Sequence, residues 1–347
     1  MFRSRLSIPV LAFSVLAASG PAQAQSAEQF YPGRQMVLIV GSAAGSGYDV
    51  IGRMVANHMG NHLPGKPGFI VRNMPGAGGI AAANHINTIA DKDGSTIAVV
   101  GREAIFDPLF SGAQSKANFD PRQFLWLGTP NQEVGMAYAT TASGVKTIED
   151  AMKREVVVAA AGATSGSAVF PRLVNALLGT KFKIIAGYKG SMDALLAMER
   201  GEVDGRVTSG WAGPETNAVM EWVKQDKAAL LLQIGINKHP DYPNVPHIMD
   251  LAKSDEDKQL MELLFIGQAL GRPFFAPPGI PADRGKALQE AFAKTMEDVG
   301  FKAEAAKQQI ELTPLLAVDM QKIVTQVYGT PKPLLEKAIQ ISAAAQK

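Results

Sequence analysis

Short apolar runs rich in β-branched residues alternate along this chain with segments whose apolar residues recur at helical spacing. Residues 36–40 (MVLIV) and 69–71 (FIV) are each followed by a glycine-rich loop, and helical spacing follows the first loop at Ile51, Met54, Val55 and Met59. Residues 96–100 form a third apolar run. Because strands that alternate with helices form mainly parallel sheets, this pattern predicts an α/β fold.

A second series of strand and helix signals begins beyond Pro130. Further strands are predicted at residues 156–160, 182–186, 203–207 and 228–234. The tail from residue 273 is a proline-rich extended segment followed by helices at 282–296 and 331–344, without a strand series of its own. Such helices must pack on an existing sheet, so the predicted domains are 25–130 plus 270–347 and 131–269, with two crossings between them.

The first 24 residues have the composition of a secretory signal. Arg3 and Arg5 precede an apolar stretch from residue 6 to 18, and Ala22-Gln-Ala24 ends the segment with small residues. This order predicts cleavage after Ala24 and a protein that works outside the cytoplasm. No later run reaches the roughly 20 apolar residues that a bilayer crossing requires.

Composition excludes several classes of function. The chain has no cysteine, which rules out disulfides, thiolate metal sites and a lipoprotein anchor. The formal net charge is +2, and loss of Arg3 and Arg5 with the signal brings it to zero. A balanced charge argues against general affinity for nucleic acid or anionic lipid.

The two glycine-rich loops, residues 45–49 and 73–79, are the best candidates for a binding site. Backbone NH groups at a helix start are unpaired and the helix dipole favours negative charge there, so adjacent loops predict a carboxylate or phosphate cradle. In the first loop, Ser46 and Tyr48 offer hydroxyls, whereas Asp49 is either a cap that shapes the loop or a ligand contact. The second loop offers only backbone, from Ala77, Gly78 and Gly79.

Motifs for chemistry are incomplete. The dinucleotide fingerprint G-x-G-x-x-G would require a third glycine at Val50, and neither Ser46 nor Ser165 has the flanking glycines of a hydrolase elbow. Among the histidines, His58 and His62 have an i, i+4 spacing, but Pro64 follows closely, which favours a helix end over a zinc site. We therefore predict no catalytic residues, no metal and no cofactor.

Loops of the second half supply further candidates. Thr164, Ser165 and Tyr188 bring hydroxyls that can contact the far end of a small polar ligand. Arg102 follows the third strand and either pairs with a second ligand carboxylate or forms an ion pair with Glu103 or Asp107. Trp211 is either a lid or stacking surface or part of the core.

These motifs occur in an order that resembles a known family. The elements are Gly45-x-x-x-Asp49-x-x-x-Arg53, Asn73-x-Pro75-Gly-Ala-Gly-Gly79, Asp93-Gly94, Tyr188-Lys-Gly190, Gly201-x-Val203-Asp204 and Pro278-Gly-Ile-Pro281. Their order is similar to that in the Bug-type substrate-binding receptors of tripartite tricarboxylate transporters. The resemblance covers essentially the whole chain after the signal, and the Asn73 loop is its most specific part.

The resemblance implies a two-domain periplasmic binding protein of type II-like architecture, each domain a mainly parallel sheet flanked by helices, with the ligand cleft between them. It also implies that residues 46–49 and 77–79 grip one carboxylate through backbone amides and ordered water, while residues 164–166 and Tyr188 select the ligand. The chain departs from the family pattern at Ser46, Tyr48, Arg72 and Met74. A bulky Tyr48 reshapes the pocket, so the bound acid is left open.

Taken together, the sequence predicts a monomeric receptor that captures a small organic carboxylate and delivers it to a membrane permease. The alternatives are a secreted α/β enzyme that acts on a small carboxylate and a sensing module for a membrane signalling protein. The candidate ligand-binding residues are Ser46, Gly47, Tyr48, Asp49, Ala77, Gly78, Gly79, Arg102, Thr164, Ser165, Gly166, Tyr188 and Asp204.

Overall fold

A computed structural model describes residues 25–162, 165–211 and 214–345. The predicted signal and its cleavage site lie outside the described residues. The strands are β1 (Gln35–Val40), β2 (Gly68–Asn73), β3 (Thr96–Val99), β4 (Leu125–Thr129), β5 (Gly135–Thr140), β6 (Val156–Ala160), β7 (Phe182–Ala186), β8 (Gly205–Val207), β9 (Ala228–Ile234), β10 (Phe274–Ala276) and β11 (Leu315–Leu316). The helices are α1 (Ala27–Phe30), α2 (Gly47–Met59), α3 (Ile80–Thr88), α4 (Arg102–Phe110), α5 (Ile148–Lys153), α6 (Gly166–Leu178), α7 (Ser191–Glu199), α8 (Pro214–Lys224), α9 (Asp255–Phe265), α10 (Gly267–Leu270), α11 (Ala282–Glu297), α12 (Val299–Lys307), α13 (Ala317–Tyr328) and α14 (Lys332–Ala345).

The first sheet has the strand order β11-β4-β10-β3-β1-β2. Strand β1 pairs in parallel with both β2 and β3, with Val37 opposite Ile70 on one side and Thr96 on the other. Strands β10 and β11 pair antiparallel with their neighbours. The sheet is therefore mixed, with β1 to β4 running in one direction.

The second sheet has the order β7-β6-β8-β5-β9. Strand β6 pairs in parallel with β7 and β8, whereas β5 pairs antiparallel with β8 and β9. Strands β5 and β10 follow the two connections between the sheets, residues 130–134 and 271–273, and each runs against its neighbours. The predicted α/β class with two sheets is confirmed.

Helices cover both faces of each sheet. Successive side chains of a strand point to opposite faces, so the apolar side chains on each face are buried only if helices pack there. In β1, Leu38 and Val40 pack in the core beneath α2, α11 and α12, and Ile39 packs in the core beneath α3, α4 and α13. The second sheet packs one face on α5, α6 and α9, and the other on α7 and α8. Buried parallel strands of this kind hold the loops at their ends rigidly in place.

The two sheets are built from different parts of the chain, which can be compared with the predicted domain limits. Strands of the first sheet come from residues 35–129 and 274–316, and those of the second from 135–234. Helix α14, expected to return to the first domain with the rest of the tail, packs on α6 and α9 and also contributes Ala338 to the core beneath α3, α4 and α13. The domain limits given above stay a prediction.

Within the part of the chain that the structure describes, no helix combines the length and the apolar character needed to cross a membrane.

Candidate functional site

The first corner of the candidate site is the loop between β1 and α2. Gly45 has a φ of +78°, and Ser46 is the N-cap of α2, with its Oγ accepting a hydrogen bond of 3.3 Å from the amide of Asp49. Ser46 Oγ also lies 2.6 Å from Ser42 Oγ. The amides of Gly47 and Tyr48 have no hydrogen-bond partner among the described residues. These two NH groups are free to bind an anion at the helix start.

Asp49 shapes this corner from within. Its side chain is buried, and its Oδ2 accepts hydrogen bonds from the amide of Gly45 at 2.8 Å and from Nε of Arg53 at 3.0 Å. Asn73 Nδ2 donates to Oδ1 at 2.8 Å. The hydrogen bond from Arg53, together with these donors, lowers the pKa of Asp49 to about 2. Both carboxylate oxygens are thus engaged by the protein, and Asp49 shapes the loop as predicted; the N-cap of α2, however, is Ser46 and not Asp49.

The second corner lies between β2 and α3 and has an unusual backbone. Positive φ angles occur in succession at Gly76 (152°), Ala77 (46°), Gly78 (65°) and Gly79 (108°). The amide of Gly79 donates to Gly76 O at 2.9 Å, so it is already used within the loop. The amides of Ala77 and Gly78 have no partner among the described residues. Of the three predicted backbone donors, two are therefore available.

The two corners lie side by side at one edge of the first sheet, because β1 is the neighbour of β2. A methyl group built on Gly41, at the end of β1, would lie 3.1 Å from the Cα of Gly79. A methyl group on Gly79 would lie 2.9 Å from the amide of Gly101, where α4 begins. Glycine is thus required for close approach, and three helix starts meet at this edge.

Tyr48 connects the first corner to the third. Its hydroxyl accepts a hydrogen bond of 3.2 Å from the amide of Arg102, the first residue of α4. Burial raises the pKa of the Tyr48 phenol to about 12, so the hydroxyl remains protonated at neutral pH. Tyr48 therefore uses one donor that the third helix start would otherwise present to a ligand.

Arg102 belongs to a buried ion cluster. Its Nη1 contacts Glu133 Oε2, and its Nε lies 3.2 Å from Glu103 Oε1. Arg272 Nη1 lies 2.7 Å from Glu133 Oε1, so Glu133 bridges two arginines. Burial alone would raise the pKa of Glu133, but the two guanidinium groups hold it below its ordinary value. The ion-pair alternative for Arg102 is what is observed, with Glu133 as a partner that sequence reasoning missed.

Loops of the second sheet approach the same cluster. Ser165 is the N-cap residue of α6, and its Oγ donates to Gly162 O at 2.7 Å. A methyl group on Gly166 would collide with Ser209 Oγ, and one on Gly210 would lie 3.1 Å from Glu133 Oε2. Tyr188 donates its amide to Ala160 O at 3.2 Å, beside the end of β6. Thr164 lies outside the described residues.

Asp204 lies elsewhere. Its Oδ2 accepts a hydrogen bond of 2.8 Å from the amide of Val157, and its own amide donates to Val157 O at 2.8 Å. These bonds join the beginnings of β6 and β8, whereas Gly166 and Tyr188 follow the ends of β6 and β7. Because β6, β7 and β8 are parallel, Asp204 is at the opposite edge of the sheet, and we leave it out of the site.

Two cavities lie beside the ion cluster. One of about 540 Å³ is lined by Arg102, Phe106, Gly166 and Phe170 among others. The other, of about 600 Å³, is lined among others by Glu133, Trp211 and Arg272. Of the predicted residues, the first cavity brings together Arg102 and Gly166, and neither cavity is lined by residues 46–49 or 77–79.

Trp211 belongs to the core of the second sheet and also lines a cavity. It is buried against Tyr138, with ring centroids 5.5 Å apart, and it lines the larger cavity. Its indole Nε1 is buried and has no hydrogen-bond partner among the described residues.

The histidine pair ties helices together. His58 Nε2 lies 2.8 Å from Glu304 Oε2, and His62 Nε2 lies 3.1 Å from Asp298 Oδ2. These contacts join the end of α2 and the turn that follows it to α12 and its N-cap. Within residues 25–162, 165–211 and 214–345, no group of three or more suitable side chains could hold a metal ion.

Two α/β bodies joined by two connections, with the loops of both sheets meeting at an ion cluster, define the class of two-domain periplasmic binding proteins. The crystal structure of a TctC solute-binding protein from Polaromonas, without ligand, has this fold, with a TM-score of 0.66 and 20% identity over 88% of this chain and 99% of that one. The sequence model of the TctC family, described as the tripartite tricarboxylate transporter family receptor, matches residues 51–339 of this chain. This chain belongs to that family.

Two relatives are similar in sequence to this chain over most of its length. The UPF0065 protein in the gbd 5' region of Cupriavidus necator is 26% identical over 352 residues, which is 97% of this chain and 96% of that protein. A UPF0065 protein of Bordetella bronchiseptica is 30% identical over 255 residues, covering 72% of this chain and 70% of that protein.

Two similar solved structures contain acids. MatC from Rhodopseudomonas palustris with bound malate has a TM-score of 0.56 and 19% identity, over 89% of this chain and 99% of that one. A second R. palustris protein with adipate has a TM-score of 0.58 and 17% identity, over 90% and 98%. At these identities the likeness shows the fold.

Proposed function

We propose that this protein is an extracytoplasmic receptor that captures a small organic carboxylate and delivers it to a tripartite tricarboxylate-type permease. The observation that carries the proposal is the set of four amides without a partner among the described residues: those of Gly47 and Tyr48 at the start of α2, and those of Ala77 and Gly78 in the glycine-rich turn before α3. Helix starts with free NH groups favour a carboxylate without any chemical step. The malate and adipate of the two similar structures support this class of ligand.

The proposed site has two sides. The corners at residues 46–49 and 77–79 would hold the carboxylate, and Ser165, Gly166 and Tyr188, together with Thr164, would contact the rest of the ligand. A ligand that touches both bodies makes more contacts in a closed form and shifts the population toward it. The connections 130–134 and 271–273, at the limits of the proposed domains, are the places for this hinge.

Binding without turnover separates this proposal from its alternatives. The family and the similar structures are solute-binding proteins, which favours a receptor over a secreted enzyme. A receptor returns its ligand unchanged and in stoichiometric amount, whereas an enzyme forms product. A sensing module would bind equally well, and deletion of the permease genes distinguishes it, because sensing persists when uptake is lost.

Periplasmic location and a monomeric state belong to the same proposal. Members of this family are periplasmic binding proteins, and the amino-terminal pattern predicts cleavage after Ala24. Sequencing of the amino terminus of protein isolated from periplasm should begin at Gln25. Light scattering should give the mass of a single chain.

A thermal-shift screen tests the central claim. Monocarboxylates, dicarboxylates, tricarboxylates and acidic amino acids are added in steps, because a ligand that binds only the native state raises the melting temperature with its concentration. At least one acid should shift the melting temperature and then bind with 1:1 stoichiometry in calorimetry. If no organic acid binds while a matched neutral amide or alcohol does, the carboxylate proposal is wrong.

A further inference from the structure

Arg272 is held at one end of its guanidinium group. It lies in the connection 271–273, and its amide donates to Thr129 Oγ1 at 3.0 Å. Its Nη1 lies 2.7 Å from Glu133 Oε1 and donates to Asn131 Oδ1 at 3.1 Å. The planar group is therefore oriented from behind by two acceptors.

The other edge of the same group lacks hydrogen-bond partners among the described residues, although Cζ of Arg272 lies 5.6 Å from the centroid of the Tyr48 ring. Nε of Arg272 is buried without a hydrogen bond, and Nη2 has none among the described residues. A methyl group built on Gly47 would lie 3.3 Å from Nη2 and 3.8 Å from Nε. The free edge thus faces the start of α2, next to the unpaired amide of Gly47. A buried donor without a partner is rare and costly, so its presence requires an explanation.

We infer that Arg272 is a carboxylate-binding residue of the proposed site, and this inference rests on the proposed function. Nε and Nη2 form the pair of parallel donors that matches the two oxygens of a planar carboxylate. A ligand carboxylate that enters the first corner accepts from this edge and from the amides of Gly47 and Tyr48. The unpaired Nε is then satisfied only in the bound state.

Glu133 acts on this interaction as a positioning residue. Glu133 contacts Nη1 of Arg272 and Nη1 of Arg102. It therefore fixes the orientation of the Arg272 guanidinium group and leaves the Nε and Nη2 edge of that group unpaired.

Calorimetry with an acid that the wild-type protein binds tests the role of Arg272. Arg272→Gln removes the fork and should weaken binding between about 10-fold and 100-fold, the range for hydrogen bonds to a charged group. Arg272→Lys keeps the charge without the fork and should lose less. Arg200→Gln is the matched control: this exposed arginine, paired with Glu202, lies at the end of α7, and its loss changes the net charge equally. It should bind within about twofold of the wild type.

A second variant guards against misfolding of the Arg272 variants. Gly47 begins α2 and its φ lies outside the left-handed region, so Gly47→Ala keeps the helix start while it places a methyl group against Nη2. It should melt within a few degrees of the wild-type temperature, which shows that it folds, and bind at least about fivefold more weakly. In nitrogen-15 spectra the Arg272 Nε–H signal should shift on titration with the acid.

Failure of the inference and failure of the proposed function look different. If Arg272→Gln and Gly47→Ala both bind as the wild type does, or the Nε–H signal does not move at saturation, Arg272 is not a ligand contact although the receptor stands. If the wild-type protein itself binds no organic acid, the proposed function fails first.

Discussion

Asn73 donates a hydrogen bond of 2.8 Å from its Nδ2 to Oδ1 of Asp49. The two residues come from the two glycine-rich loop motifs, and Arg53 closes the network by donating from Nη2 to Asn73 Oδ1 at 3.0 Å. Asn73 Nδ2 also donates to Ser42 O at 3.0 Å. One side chain at the end of β2 therefore fixes the shape of the first corner.

Replacement of Asn73 tests this coupling. Asn73→Ala leaves Asp49 and Arg53 each without one partner and should lower the free energy of unfolding by about 1–3 kcal/mol. Urea unfolding measures the loss. Asn87→Ala, which removes an exposed bond to Asn118 O, should cost less than about 0.5 kcal/mol. Equal losses in the two variants would contradict the proposed coupling.

Asp49 should make stability depend on acid pH. Its pKa falls to about 2 in the folded protein, below that of the unfolded chain, so its contribution is complete above about pH 4 and disappears as the pH falls toward 2. The contribution is on the order of 2 kcal/mol.

Urea unfolding of the wild type and Asp49→Asn at about pH 6 and at about pH 2.5 checks this expectation. The gap between the two proteins should be large at the higher pH and should narrow at the lower one. A gap that stays constant over this range would mean that the ionised carboxylate of Asp49 contributes nothing specific.

Gly78 provides a test of the carboxylate grip. Its φ of +65° is tolerated by Asn and Asp better than by other side chains, and a methyl group built there meets nothing within 4 Å. Gly78→Asp places a negative charge at the corner and should weaken carboxylate binding by about 100-fold or more, whereas the isosteric Gly78→Asn should lose far less. Calorimetry compares them, and equal affinities would show that charge at this corner is irrelevant.

Tyr48 should contribute to stability through its hydroxyl. Tyr48→Phe leaves the amide of Arg102 without its acceptor and should cost about 1 kcal/mol in free energy of unfolding. Tyr188→Phe is the control, because no hydrogen bond from the Tyr188 hydroxyl to another described residue is present. Chemical denaturation measures both, and a loss in Tyr188→Phe as large as that in Tyr48→Phe would contradict the assignment.

Glu133 should be essential for the ion cluster. Glu133→Gln removes the carboxylate that bridges two largely buried arginines and should cost about 3–5 kcal/mol. Glu103→Gln, at a side chain that is 74% exposed, should cost less than about 1 kcal/mol. Melting temperatures and urea midpoints compare the two losses of stability. A larger loss in Glu103→Gln than in Glu133→Gln would contradict the assignment of Glu133 as the carboxylate that holds the ion cluster together.

The sequence by itself determined the class of fold and the two corners. Apolar runs at 36–40 and 69–71, each followed by glycines, predicted β1, β2 and the helix starts, because period and glycine position are local properties. The family resemblance added the cleft. Strands β4 and β5 and helix α4 were not predicted, since their patterns are short and β5 carries alanine and glycine where a strand pattern expects larger residues.

Only the tertiary structure decided which polar groups meet. Arg272 and Glu133 are 139 positions apart and no local pattern marks either, yet the two connections between the sheets bring them to 2.7 Å. Asp204 was predicted as a site residue from its motif. The parallel pairing of β6 and β8 instead places it at the opposite end of the strands of the second sheet. Sequence specifies local conformation, whereas charge pairing across the cleft depends on how the two sheets are joined.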